Sequence, residues 1–172
     1  EGTIITFEED EKMESPIISG IAFNRDEAEV SVRGFPDIPG SAYQILGPIA
    51  DANIDVDMII QNVGESGSND FTFTVHERDL QKSIEIINDK VKAKINAREV
   101  IGDSKIAKLS LVGVGMRSHA GIASKMFKVL SDEKINIITI STSEIKISVI
   151  LEEKFLDDAV KALHKAFELE KG

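Results

Sequence analysis

The chain has 172 residues, of which 20 are basic and 30 acidic, so its formal net charge is −10. Hydrophobic residues make up 42% and charged residues 29%, the balance of an ordinary globular protein. The chain contains no cysteine, which excludes disulfides, thiolate metal sites and a cysteine nucleophile. No apolar run approaches the ~18 residues of a membrane-spanning helix, and the acidic balance argues against nucleic-acid or anionic-membrane binding. We therefore expect a cytoplasmic protein without a nucleic-acid or membrane partner.

The first half of the chain is predicted to form strands and helices in a regular order. The elements are strands at 17–23 and 29–34, a helix at 39–53, strands at 54–61 and 71–75, and a helix at 77–90. The composition of Asn24-Arg25-Asp26 predicts a turn between the first two strands. Pro48 should kink the first helix or cost ~3 kcal/mol.

The second half repeats this pattern. Residues 29–34 and 108–113 match at a separation of 79 positions, and residues 40–54 and 121–135 match at 81. The separation changes in predicted loops, which tolerate insertions. The elements are strands at 97–101 and 107–112, a helix at 122–134, strands at 137–142 and 145–151, and a helix at 155–167. The repeat therefore predicts two copies of one fold.

The order β-α-β-β-α-β within each copy is the ferredoxin-like pattern of the α+β class. Little sequence follows the last predicted helix, so the second copy lacks a closing strand of its own. We predict that strand 17–23 supplies it and that strand 97–101 closes the first copy. This gives two intertwined domains at 17–94 and 95–172, preceded by an acidic linker at 1–16.

Most residues that could carry chemistry are better explained structurally. His76, His119 and His164 lie outside any metal-binding motif, so we expect no metal site. Gly113-Val114-Gly115 lacks the third glycine of a dinucleotide fingerprint. Asp55 and Asp57 are expected to face solvent or an interface, and Phe71 and Phe73 to fill the core rather than stack on RNA. No catalytic group is predicted.

Two strand-to-helix loops, at 36–41 and 117–122, are the informative features. A helix N-terminus presents free N–H groups that suit a carboxylate, and glycine there lets a small ligand approach the backbone. An ammonium group needs carboxylate or amide oxygens, which Asp37, Gln61 or Asn62 could supply. A free amino acid carries both charges, although on spacing alone a plain capped turn is preferred.

Longer motifs around these loops resemble a known family. Gly34-x-x-Asp37-x-Pro39-Gly40 and the segment 54–62 are similar to the first regulatory ACT domain of bacterial aspartate kinase (aspartokinase). Segments 112–121 and 135–145 are similar to the second ACT domain, and Gly2-Thr3-Ile4-Ile5 resembles the strand that follows the kinase domain.

The resemblance implies a regulatory function. The parent enzyme phosphorylates the side-chain carboxylate of aspartate with ATP and Mg²⁺, on the route to lysine, threonine and methionine. This chain would hold only the regulatory part, without cofactors or activity of its own. It would bind threonine, and lysine with it, at homodimer interfaces and thereby inhibit the catalytic kinase domain or subunit.

The resemblance also implies two sets of effector-binding residues. The first is Asp37, Pro39, Gly40, Ala42, Asp57 and Gln61, facing Asn136 and Ile137 of the partner chain. The second is Met116, Ser118, His119, Gly121, Ser143 and Glu144. Two other functions remain open, namely a structural dimerisation module without a ligand and a stand-alone enzyme, which the absence of a convergent catalytic set disfavours.

Overall fold

A computed structural model of the protein describes residues 17–63, 67–114 and 120–169. The predicted linker at 1–16 lies outside these ranges. The strands are β1 (Ile17–Pro36), β2 (Ile59–Val63), β3 (Ser68–Val75), β4 (Glu99–Val114), β5 (Thr139–Thr142) and β6 (Lys146–Glu152). The α-helices are α1 (Ser41–Asp51), α2 (Leu80–Ile86), α3 (Ala120–Asp132) and α4 (Leu156–Ala166). Short 3₁₀ turns at Glu77–Asp79 and Glu153–Phe155 lead into α2 and α4, and a π-turn at Ile87–Val91 extends α2.

The strands of the described ranges form one antiparallel sheet in the order β2-β3-β1-β4-β6-β5. Its two central strands are long and pass through both halves of the molecule. Residues 17–24 of β1 pair with residues 108–114 of β4, and residues 29–33 pair with residues 99–103. Each half is a ferredoxin-like α+β unit, and the exchange of these central strands makes the two units intertwined.

The predicted turn at Asn24-Arg25-Asp26 was wrong, because β1 runs through it without reversing. The pairing with β4 shifts register between Asn24 and Glu27. The Asn24 side chain accepts a hydrogen bond from the Asp26 backbone N–H at 3.1 Å and donates one to Glu27 at 3.1 Å. Local side-chain bonding of this kind supports an irregularity within a strand as well as a turn.

The same feature recurs one repeat later. The gap expected between strands 97–101 and 107–112 is also bridged by a continuous strand. There the Asp103 carboxylate accepts a hydrogen bond from the Lys105 backbone N–H at 2.8 Å. Asp103 stands 79 positions after Asn24, so the repeat extends to the irregularity within each central strand.

Each half has its own hydrophobic core between the sheet and two helices. Phe71 and Phe73 are buried in the first core, which confirms the prediction that they are core residues. Val100, from the strand expected to close the first unit, packs against this core. Ile18 and Ile21 pack against the second core. Complete burial of a side chain such as Phe71 or Phe73 contributes roughly 1.5–3 kcal/mol to the stability of the fold.

A third, smaller cluster joins the halves. Met58, just before β2, packs with Ile106 of β4 and Ile150 of β6. Beside it the Lys108 ammonium is bonded to the Asp57 carboxylate, so a polar contact accompanies the apolar one. None of the helices in the described ranges is long and apolar enough to cross a membrane.

Helix α1 is shorter than its apolar spacing suggested and retains Pro48 within it. Proline at this position removes one intrahelical hydrogen bond, and the burial of Ile45 and Ile49 against the sheet offsets that loss. At the other end, Pro39 and Gly40 lie in the loop ahead of the first helical turn. This loop is the start of the candidate site.

Candidate functional site: the loop before the first helix

The loop between β1 and α1 folds into a tight turn. The Ile38 backbone N–H donates to the Pro36 carbonyl at 2.9 Å, and the Ser41 hydroxyl donates to the Ile38 carbonyl at 2.8 Å. Gly40 has φ +94° and ψ −5°, a left-handed conformation that glycine adopts at little cost. This turn directs the chain from the sheet into the helix.

The N-terminus of α1 has no side-chain cap. A helix leaves its first N–H groups without intrahelical partners and carries a partial positive charge there. With glycine as the N-cap, no Cβ or capping side chain covers these groups, and a Cβ built on Gly40 would meet nothing within 4 Å. The Ser41 N–H donates to the Ile38 carbonyl at 3.3 Å, and the remaining N–H groups of the first turn can receive a small anionic group such as a carboxylate.

Asp37 supplies negative charge in the same loop. Its side chain is exposed, and its Oδ1 accepts a hydrogen bond from Nδ2 of Asn69 at 2.8 Å. Asn69 is at the start of β3, paired with Phe35 on one side and Val63 on the other. A carboxylate and an open helix N-terminus thus lie within one short loop.

Gln61 lies on the edge strand β2, next to the strand that carries Asn69. It pairs with Phe71 as Val63 pairs with Asn69, so Gln61 and Asn69 share one face of the sheet as diagonal neighbours. Diagonal neighbours of this kind are ~7–8 Å apart. Gln61 is exposed. Asp37, Pro39 and Gly40 thus share one loop, and Ala42 lies in the first turn of α1. Gln61 is related to this loop through the strand position of Asn69, the partner of Asp37.

Asp57 lies elsewhere. It precedes Gln61 by four residues, or ~13 Å of extended chain, and its carboxylate is bonded to the Lys108 ammonium of the second half. With Asp55 and Glu27 it lines a cleft of about 260 Å³. Burial is the main cause that raises the pKa of the Glu27 carboxyl, and the negative charge of Asp57 raises it further. The hydrogen bond from Asn24 and the positive charge of Lys108 lower that pKa. In one chain, Asp57 belongs to the junction between the halves.

Asn136 and Ile137 are exposed and half-buried, respectively, on the second half. They line a cleft of about 370 Å³ below α3. The next residue, Ile138, donates its backbone N–H to the Ile150 carbonyl, close to the junction. Asp37 follows the far end of β1, about ten residues or roughly 30 Å of strand from that junction. The two parts of the first predicted site therefore do not meet within one chain.

The second predicted site is described only in part. Met116, Ser118 and His119 lie outside the described residues. Gly121 is exposed in the first turn of α3. Ser143 and Glu144 form the turn between β5 and β6, where the Ser143 hydroxyl accepts the Lys146 N–H at 3.2 Å. The Gly113 N–H donates to the carbonyl of Ile145, which places this turn at the end of β4.

Two residues at these places carry no local sequence signal of their contacts. Asn69 stands in a polar loop-like stretch and Lys108 in an ordinary alternating strand. Their partners, Asp37 and Asp57, are 32 and 51 positions away, and no local pattern reports contacts at such separations. Within 17–63, 67–114 and 120–169, no group of three or more His, Asp or Glu side chains is placed to hold a metal ion.

Comparison with known families identifies both halves. ACT-domain family models match residues 29–91 and residues 109–167. The aspartokinase of Pseudomonas aeruginosa is 62% identical over 170 residues, which cover 98% of this chain and 41% of that protein. The aspartokinase of Helicobacter pylori is 45% identical over 174 residues, which cover 99% of this chain and 42% of that protein. The chain thus spans about two fifths of the length of these relatives.

Solved structures agree over most of the chain. A structure of aspartokinase alpha and beta subunits matches with a TM-score of 0.82 and 51% identity, covering 88% of this chain and 99% of that one. The ligand-free regulatory subunit of aspartate kinase from Thermus thermophilus matches with a TM-score of 0.81 and 37% identity, covering 87% and 98%.

Proposed function

Because the chain belongs to the aspartokinase family, as its regulatory region of two ACT domains, we propose that it binds end-product amino acids and passes their presence to a catalytic kinase domain or subunit. Threonine, with lysine, is the proposed effector. The observation that carries this proposal is the juxtaposition of the Asp37 carboxylate with the uncapped N-terminus of α1.

The charges of this loop complement a free amino acid. The open N–H groups of the first turn suit the α-carboxylate of the ligand. Asp37 suits its ammonium group, and the exposed Gln61 side chain offers both a donor and an acceptor for a side-chain hydroxyl. Because Gly40 has no side chain, the ligand can approach the backbone closely.

The site is proposed to be completed by a second chain. Asn136 and Ile137 lie too far from Asp37 to meet it within one chain, so their contribution requires a homodimer. Apolar side chains on the edge strands support such a contact: Ile59 is 52% exposed, Val63 77% and Ile140 48%. Burial of these side chains between two chains would remove apolar surface from water.

Regulation then follows from linkage. An effector that bridges two chains stabilises one arrangement of the dimer. If the kinase is inactive in that arrangement, the effector inhibits it, with a coupling free energy of typically ~1–3 kcal/mol.

The catalytic part, in the cytoplasm, would use ATP and Mg²⁺ to phosphorylate L-aspartate, and neither ATP nor Mg²⁺ is assigned to residues of this chain. The site at Gly121, Ser143 and Glu144 is proposed as the second effector site.

Calorimetric titration of the purified chain with threonine, lysine, methionine and their mixtures tests this proposal. We expect saturable heat with threonine, strengthened by lysine. Gln61→Ala and Gly40→Asp should weaken that binding while the circular dichroism spectrum stays that of the folded chain. Normal affinity in either variant would refute the site assignment. A folded dimer whose melting temperature ignores all three amino acids would instead favour a purely structural dimerisation module.

A further inference from the structure

Asn69 is almost completely buried, at 1% exposure, yet its side chain reaches the exposed loop before α1. It lies on β3, where it is paired with Phe35 of β1 on one side and with Val63 of β2 on the other. Its Nδ2 donates to Oδ1 of Asp37 at 2.8 Å. A buried side chain, fixed by two neighbouring strands, therefore holds a carboxylate that stands at the surface.

The orientation of the Asn69 amide follows from its partner. An ionised carboxylate only accepts hydrogen bonds, so the NH₂ group of the amide must face Asp37. The amide oxygen then lies buried without a hydrogen-bond partner in the described structure. A buried acceptor without a partner is destabilising, and an apolar side chain of the same shape would avoid that cost. The amide is thus suited to holding Asp37 rather than to stabilising the fold.

We propose that Asn69 is a positioning residue, which fixes the Asp37 carboxylate next to the N-terminus of α1 so that it receives the ammonium group of the amino-acid effector. This inference rests on the proposed function and adds to it a residue that touches no ligand. An exposed aspartate must otherwise give up rotamer freedom when the ligand binds. Holding it beforehand moves that cost from binding into folding, which strengthens binding without a new contact to the ligand.

Asn69→Leu tests the proposal because leucine has nearly the same shape but neither donates nor leaves an acceptor unsatisfied. We expect the melting temperature to stay the same or to rise, and the affinity for L-threonine, measured by calorimetry, to fall about three- to tenfold, the cost of ordering one side chain at a binding site. If the leucine variant is unstable, Asn69→Ser replaces it, because the serine hydroxyl is too short to reach Asp37. The same fall in affinity for L-threonine is expected.

A thermodynamic cycle separates positioning from a general structural role. In an Asp37→Asn background, the further change of Asn69 to leucine should alter threonine affinity by less than about twofold, because the carboxylate it positions is gone. Ser83→Ala is the matched control: Ser83 is fully buried in α2, and its hydroxyl donates to the Asp79 carbonyl at the start of that helix rather than to the loop. That control should lower the melting temperature and leave threonine affinity unchanged.

Unchanged threonine affinity in Asn69→Leu, or an equal loss in the presence and absence of Asp37, would overturn the role of Asn69 and leave the proposed function intact. Failure of the unsubstituted chain to bind threonine, lysine or methionine would overturn the proposed function, and the role of Asn69 with it.

Discussion

Gly40 and Gly121 occupy the same position of the internal repeat, 81 residues apart, yet alanine should have opposite effects on stability at the two sites. Gly40 has φ +94°, in the left-handed region, whereas Gly121 lies in the first turn of α3 without a positive φ. A Cβ added at either glycine would meet nothing within 4 Å, so sterics do not distinguish them. The backbone conformation alone therefore decides whether alanine raises or lowers the stability of the folded chain.

The magnitudes follow from the two conformations. A left-handed backbone costs an L-residue roughly 1–2 kcal/mol, and 1 kcal/mol shifts the melting temperature of a chain of this size by ~2–4 °C. Gly40→Ala should therefore melt roughly 2–8 °C lower than the unsubstituted chain. Gly121→Ala replaces glycine with a better helix former, worth up to about 1 kcal/mol, and should melt up to ~4 °C higher.

Thermal unfolding followed by circular dichroism, at matched protein concentration, measures both shifts. Gly20→Ala is the control, because Gly20 lies in β1 with no positive φ and with open space around its Cβ position. It should be neutral or slightly stabilising. Equal shifts of the same sign at Gly40 and Gly121 would refute the reasoning from backbone conformation.

Two further experiments test the electrostatics of the central strands and of the junction between the halves. Burial raises the pKa of the Glu29 carboxyl above its ordinary 4.5; a hydrogen bond from Ser31 opposes this and the charge of Asp103 adds to it. The folded state therefore loses stability as the pH rises through that raised pKa. Glu29→Gln should melt higher at pH 7, and the gain should vanish below pH 4.5; a gain that persists in acid would contradict this. For the junction, a double-mutant cycle of Lys108→Met and Asp57→Asn should give a coupling of about 0.5–1 kcal/mol in urea unfolding, modest because Asp57 is 44% exposed. Zero coupling would show that the contact contributes nothing to the union of the halves.

The fold was accessible from the sequence because its signals are local and occur twice. Alternation around Phe71 and Phe73 and helical spacing at Ile45 and Ile49 each report one buried face. The repeat then made each half a check on the other. The pattern failed at Asn24-Arg25-Asp26, where turn-forming residues support an irregularity inside a continuous strand. Asn and Asp side chains bond to the adjacent backbone both in a chain-reversing turn and in an irregularity within a strand. Composition therefore cannot distinguish the two.

The candidate site was accessible only in part. The loop with Asp37 and Gly40 was predictable, because a helix start and a glycine are readable from local sequence. The hydrogen bond from Asn69 to Asp37 and the bond from Lys108 to Asp57 were not, because both depend on strand pairing between distant segments. The bond from Lys108 places Asp57 at the junction between the halves. The family resemblance had grouped Asp57 with the loop before α1 instead.

A crystal structure of the chain, from crystals grown with saturating threonine, tests directly whether the loop before α1 binds the effector. We expect electron density for one threonine beside Asp37, with its carboxylate on the N-terminus of α1 and its ammonium group at the Asp37 carboxylate. Asn136 and Ile137 of a second chain should close over it. Threonine bound away from this loop, or a dimer in which the loop faces solvent and stays empty, would show that the effector site lies elsewhere.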